Sequence, residues 1–180
     1  MKKQIITLAV AVISVFTVQT AVAQTTGMDF NRKDCDGINQ HLFADLNAGN
    51  AVILEFFMVS CNSCTTAASK INSMKANILT QYPGKVKSYS IGFSDNPTSY
   101  SKSVVKTWAN TNSVGSIPMD SGAAQVAYYG GFGMPTIVIL GGTNHALLGA
   151  PYIGFSTTDT TMMATSIRNY LSGATGIKPI

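Results

Sequence analysis

From Ala51 to Met58 the chain is apolar at every position except Glu55, and from Cys61 to Tyr82 the apolar positions switch to three- and four-residue spacing. The first pattern predicts a central strand covered on both faces. The second predicts a helix whose inner face carries Ala68, Ile71, Met74, Ile78 and Tyr82, stopped by Pro83-Gly84. Val86 to Phe93 reads as another strand, followed by a helix opened by Asn96-Pro97 and marked by Tyr100, Val104, Val105 and Trp108. Ser116 to Met119 fits a short strand, with Asp120-Ser121 capping a helix through Tyr129 that Gly130-Gly131-Phe132-Gly133 breaks. Thr136 to Leu140 is a β-branched strand, Gly141 to Asn144 a turn, and His145 to Leu148 its antiparallel partner. A last helix, Thr158 to Leu171, turns Met163, Ile167, Tyr170 and Leu171 to one side, and the tail after Gly173 reads as loose. Near the other end, Asp36-Gly37 divides Phe30 to Leu46 into a hairpin. Strands alternating with helices and closing on a hairpin and helix predict an α/β domain, a central mixed sheet with helices on both faces. There is no internal repeat and no low-complexity segment.

Ahead of this pattern, Lys2 and Lys3 precede the apolar run Ile5 to Val18, and Ala21-Val22-Ala23 closes it. Residues 1–23 therefore read as a cleaved secretory signal; an uncleaved anchor fits less well, the run being short for a membrane span and weakened by Thr17, Gln19 and Thr20. Residues 24–180 then form one domain with a single core and no membrane span, placed in the periplasm or secreted. Of the 12 Lys and Arg, two lie in the leader, leaving 10 basic side chains against 8 acidic ones. They are scattered and not interleaved with aromatics, which excludes nucleic acid as the expected partner.

Export puts the three cysteines in a compartment that tolerates disulfides, yet three are too few to staple a fold. Cys61-Asn62-Ser63-Cys64 closes too small a loop to stabilise by entropy, so the pair reads as chemical. It falls where a buried strand hands over to a helix, whose unpaired N–H groups and positive dipole end favour a thiolate on Cys61. Cys64, a turn later, is shielded. Glu55, the only glutamate, stands six residues before Cys61 inside the apolar strand. Burial would raise its pKa toward neutrality; a strand-edge carboxylate reaching solvent is the alternative. Cys35, flanked by Asp34 and Asp36, reads as a spectator whose thiol is raised by those carboxylates, with mixed-disulfide formation or regulation the minor alternative. His41 and His145 have no metal-ligand spacing, and the methionines fit packing, so neither metal nor cofactor is called for.

The dithiol after a strand, Met134-Pro135-Thr136 before a later strand, and the added strand-helix portion leading into Ile117-Pro118-Met119-Asp120 together resemble the thioredoxin-like superfamily. Within it they resemble the exported TlpA/ResA-like (redoxin) thiol-disulfide oxidoreductases, over roughly Phe30 to Leu171. The resemblance implies a thioredoxin-like fold with an N-terminal hairpin and a strand-helix insertion. It further implies that Cys61 is the exposed nucleophile, Cys64 the resolving thiol, and Glu55 the group that helps deprotonate Cys64. Pro135, which by its position alone is as well an edge or entry residue, is implied to be a cis proline facing the dithiol, with Met134 beside it in a substrate groove. Thr136 either hydrogen-bonds near that groove or is an ordinary strand residue. The implied partners are disulfide-containing exported proteins and a membrane or periplasmic thiol electron donor.

Two departures stand out: Ser60 replaces the tryptophan many relatives carry before the first cysteine, and Asn62-Ser63 gives Cys61 no cationic partner. The second favours a reductant or isomerase over a strong oxidant. A thiol peroxidase on this fold is a weaker expectation, because Phe57-Met58-Val59-Ser60 lacks the Pro and Thr of peroxiredoxins. Copper handling, with His145 as nominal partner to the cysteines, is the non-enzymatic alternative.

Overall fold

In the computed structural model, described over residues 24–94 and 100–175, the chain opens with a two-stranded antiparallel hairpin, β1 (Asn31–Lys33) and β2 (Asn39–His41). Its turn is built by one carboxylate. Asp34 Oδ1 accepts the amides of Asp36 and Ile38, each at 2.9 Å, Oδ2 accepts Gln40 Nε2 at 2.8 Å, and Gly37 takes the positive φ of 83° that closes it. The expected hairpin is therefore shorter than its span. Leu42–Asn47 forms a helix, α1, whose Leu42 and Leu46, four residues apart, are both buried.

The main body alternates β3 (Ala51–Phe57), α2 (Asn62–Gln81), β4 (Val86–Gly92), α3 (Lys102–Thr111), β5 (Ile117–Met119) and α4 (Ala123–Tyr128). It finishes with β6 (Thr136–Gly141), β7 (Ala146–Leu147), β8 (Tyr152–Ile153) and α5 (Asp159–Thr175). Strand order in the sheet is β5-β4-β3-β6-β7, with β8 also on the outer edge of β6. β3, β4 and β5 run parallel, joined by α2 and α3 as crossovers, while β6 is antiparallel to β3 and to β7 and β8. This is the mixed sheet that the alternating pattern predicts.

Because β3 is central, every one of its residues is buried, and its alternation sorts two cores. Ile53 packs with Ile71 and Ile78 of α2, Ile137 and Ile139 of β6, and Met163, Ile167 and Leu171 of α5. Val52, Leu54 and Phe56 face the opposite way, against Leu42, Leu46, Tyr89, Ile91, Val126 and Leu140. At the carboxyl end of β3 a third cluster joins Phe57, Cys64, Ala68, Val105, Trp108 and Ala109, with the Phe57 and Trp108 rings stacked at 3.7 Å.

Several local expectations shift. Ser101 caps α3, its hydroxyl accepting the Val104 amide, and Val104 is 41% exposed while Val105 and Trp108 turn inward. The expected start at Asn96-Pro97 lies outside the described residues, as does the leader of residues 1–23. Gly122, not Asp120-Ser121, precedes α4 as its cap, with no side-chain hydrogen bond. Ser121 has a φ of 59° and gives its carbonyl to Arg32 Nη1. The last helix continues past Gly173 to Thr175. Among the described residues no helix is long and apolar enough to cross a membrane.

Candidate active site

The carboxyl ends of β3 and the amino end of β6 meet at one edge of the sheet, since Phe56 pairs with Thr136. Two loops converge there: Met58-Val59-Ser60, leading into α2, and Gly130 to Pro135, leading into β6. Cys61 is the N-cap of α2, in extended conformation at φ −94°, ψ 104°. Its Sγ accepts the Cys64 amide at 3.1 Å, as an N-cap side chain does, and lies 3.2 Å from Ser63 Oγ. Cys61 and Cys64 are joined by a disulfide with Cα atoms 5.2 Å apart. The two sulfurs differ in environment: Cys61 is half-buried, whereas Cys64 is fully buried among Phe57, Ala68 and Val105.

Opposite the dithiol, the Met134–Pro135 peptide is cis, and the Met134 carbonyl accepts Ser63 Oγ at 3.3 Å. Met134 also packs on the cluster that holds both cysteines. Thr136, expected at the groove, is instead fully buried and donates its hydroxyl to the Gly133 carbonyl at 2.7 Å. A buried hydroxyl already committed to its own loop cannot meet a substrate; it holds the loop. Gly131 permits this closure, since a Cβ there would stand 2.7 Å from Thr136 Oγ1.

Glu55 is fully buried on the β3 face that also carries Ile53 and Phe57, the face covered by α2. Ser90, its register partner on β4, donates to Oε2 at 2.8 Å, and among the described residues Oε1 has no hydrogen-bond partner. Burial pushes the carboxyl up to about 8, against a smaller downward pull from Ser90. The solvent-reaching alternative is thereby removed. Farther along the same face of β4, Ser88 bonds Lys75 Nζ and Ser116, so this side of β4 is a polar row facing α2.

The remaining candidates stand apart. Cys35, half-buried, has its amide bonded to the Pro118 carbonyl, and its thiol is pushed up to about 11 by burial, then by Asp120 and its flanking carboxylates, against Lys102. His145, in the turn between β6 and β7 and at the opposite end of β6 from Pro135, stacks on Phe43 and bonds Asn47 of α1. That removes the nominal partner from the copper-handling alternative. Two site residues escaped the sequence pattern: Ser63, which bridges Cys61 and Met134, and Ser90. Ser90 had a signal, for Ser88 and Ser90 alternate with Tyr89 and Ile91, marking one face of an apolar strand as polar.

No family model matches the chain, and no curated protein matches it. Solved structures do. A thiol:disulfide interchange protein of the thioredoxin family from Chlorobium tepidum superposes with a TM-score of 0.61 at 18% identity, over 84% of this chain and 99% of its own. A thiol:disulfide interchange protein from a Bacteroides species gives 0.61 at 10% identity, over 82% and 91%. StoA from Bacillus subtilis gives 0.56 at 18% identity, over 79% and 99%. The fold is thioredoxin-like.

Proposed function

We propose that this protein is an exported thiol-disulfide oxidoreductase working through Cys61 and Cys64. The observation that carries the reading is the pair's unequal placement: one sulfur half-exposed at a helix N-cap, the other buried a turn later. In the proposed cycle the reduced Cys61 thiolate attacks one sulfur of a client disulfide. The client S–S bond breaks, one client sulfur leaves as a thiolate, and Cys61 is held in a mixed disulfide. Cys64 then gives up its proton with the help of Glu55, directly or through a water, and attacks Cys61 Sγ. The second client sulfur departs, and two electrons have passed to the client while the Cys61–Cys64 disulfide forms. A separate thiol donor in the membrane or periplasm reduces that disulfide again.

Met134 and Pro135 form the groove wall beside Cys61 in this reading, supported by the Ser63 bridge to the Met134 carbonyl. Export rests on the leader of residues 1–23, and the clients are disulfide-bearing exported proteins. A reductant or isomerase role is favoured by the first turn of α2, Asn62 to Thr65, which gives Cys61 no cationic partner. A reduction potential near that of the strongest dithiol oxidants, about −120 mV, would contradict that direction.

The test is insulin reduction by the purified protein, run beside a peroxide assay and a Cu(I) titration. Turnover is expected with insulin, lost in Cys61→Ser, and trapped as a mixed disulfide in Cys64→Ser. Resistance of both reduced thiols to alkylation in the folded protein would overturn the reading.

A further inference from the structure

Phe132 is 97% exposed, while Phe56 and Phe57 are wholly buried. A large apolar side chain in water contributes nothing to the core, and slack backbone does not explain it, because the loop is pinned on both sides. The Gly131 amide donates to the Val126 carbonyl at 2.9 Å, and the Gly133 carbonyl is held by Thr136. Glycines at 130, 131 and 133 leave the ring standing alone. Beside it lies a hollow of about 280 Å³ whose lining among the described residues, Met58, Phe93, Gly131, Phe132, Gly133 and Met134, carries no charged side chain. Ile153, itself 52% exposed, has its Cγ2 3.1 Å from where a Gly133 Cβ would stand and extends the apolar surface.

This surface is continuous with the reacting sulfur. The Met58 carbonyl accepts the Cys61 amide at 3.1 Å, and Met134 packs on the cluster containing Cys61 while its carbonyl holds Ser63. An extended chain that follows Met134 away from a sulfur at Cys61 runs toward Phe132. We propose that Phe132 and the adjoining hollow select clients: they take the aliphatic or aromatic side chain next to the disulfide-bonded cysteine in an extended segment of another polypeptide. The proposal rests on the redox reading above and names its substrate class. The described lining, apolar in its side chains, desolvates an aliphatic or aromatic side chain favourably and offers an acidic or basic one no partner for the water it loses. Since the hollow is open on one side, the discrimination sits at the low end of what an apolar pocket achieves, about tenfold.

The test uses the reduced protein and three disulfides. Two are short peptides carrying one cysteine as its mixed disulfide with glutathione, flanked by Leu and Phe in one and by Asp and Ser in the other. The third is glutathione disulfide, whose cysteines are flanked only by γ-glutamyl and glycine and offer the hollow no apolar side chain. The wild type is expected to reduce the apolar-flanked peptide about tenfold faster than the acidic one. Phe132→Ser, a surface change that leaves the core untouched, should bring that ratio close to one without altering the glutathione disulfide rate. An unchanged peptide ratio in Phe132→Ser overturns the docking proposal alone. So does a dimer in solution that Phe132→Ser dissociates while selectivity stays the same, because a second copy would then be the occupant. Failure of the wild type to reduce any of the three overturns the redox reading, and this proposal with it.

Discussion

Glu55→Gln isolates the cost of keeping an acid inside the sheet. The carboxyl is fully buried, one oxygen has no partner among the described residues, and burial moves it from 4.5 to about 8. Its folded-state pKa lies above its unfolded value, so between those two pH values the folded chain binds a proton that the unfolded chain has lost. Stability therefore falls as pH rises through this window and levels off above about 8. At 1.36 kcal/mol per pH interval of one, the whole window corresponds to about 5 kcal/mol, and relaxation around the ionised group brings the expected effect to about 3–5 kcal/mol. Glutamine has nearly the same shape, keeps an oxygen for Ser90, and cannot ionise. Urea unfolding of wild type and variant, both with the Cys61–Cys64 disulfide closed, is the assay, because other titrations cancel in the difference. At pH 4 the two should agree within about 1 kcal/mol, the size of one neutral hydrogen bond. At pH 9 the variant should be the more stable by about 3–5 kcal/mol, with the gap opening between about pH 5 and 8. Parallel stability curves across that range would refute the burial argument.

The same ionisation should govern the second half of the proposed cycle. Resolution of a Cys61 mixed disulfide should speed up as pH rises through about 8 in the wild type, and stopped-flow should find that inflection missing in Glu55→Gln. Trp108→Ala removes a ring stacked on Phe57 beneath Cys64 and should cost about 3–5 kcal/mol in urea unfolding; a loss under 1 would contradict tight packing there. Tyr89→Phe deprives Asp45 of a buried O–H donor at 2.5 Å, leaving Lys87 as its remaining partner, and should cost about 1–3 kcal/mol by the same assay. In the oxidised protein, iodoacetamide at pH 8 should modify Cys35 about a hundredfold more slowly than a free cysteine, its thiol being held near 11; a rate equal to that of free cysteine would contradict its burial.

What the sequence conveyed best were features whose local pattern and tertiary environment agree. β3 and α2 read correctly because an unbroken apolar run and a 3.6-residue period each admit one solution of that length, and the dithiol and Glu55 take their places from those two elements. The losses occur where tertiary contacts decide. Leu42 and Leu46 are spaced for a helix, but the turn signal at Asp36-Gly37 pulled the whole segment toward a hairpin, and only the core contacts of both leucines fix α1. β8 is two residues long between Pro151 and Gly154; it exists because β6 has an open edge, which no local signal reports. Asp120-Ser121 had the composition of a helix cap, yet Ser121 is bent by its carbonyl's bond to Arg32, a partner 89 residues away. Thr136 looked as much like a site residue as a strand residue, and only its bond to Gly133 separates the two. Phe132 was legible merely as part of a glycine-rich break, since sequence reports that a residue is apolar but not that it lacks a core to enter.

The two sulfurs also show why a buried acid suits this particular dithiol. Cys61, once reduced, has the Cys64 amide close to its sulfur and the helix dipole behind it, both of which favour the anion. Cys64 is closed in among Phe57, Ala68 and Val105, where burial favours the neutral thiol. In the proposed cycle, attack on a client therefore needs no base, whereas resolution does. A carboxylate of ordinary acidity would be a poor acceptor for a raised thiol proton, because the transfer would run steeply uphill. Burial on the face of β3 covered by α2 moves Glu55 upward as well, and that narrows the gap between donor and acceptor. In the proposed cycle burial thus acts on both groups: it disfavours the Cys64 thiolate and raises Glu55 toward the range in which it can help take up that proton. Replacing Glu55 should then slow resolution while leaving the first attack by Cys61 at its wild-type rate.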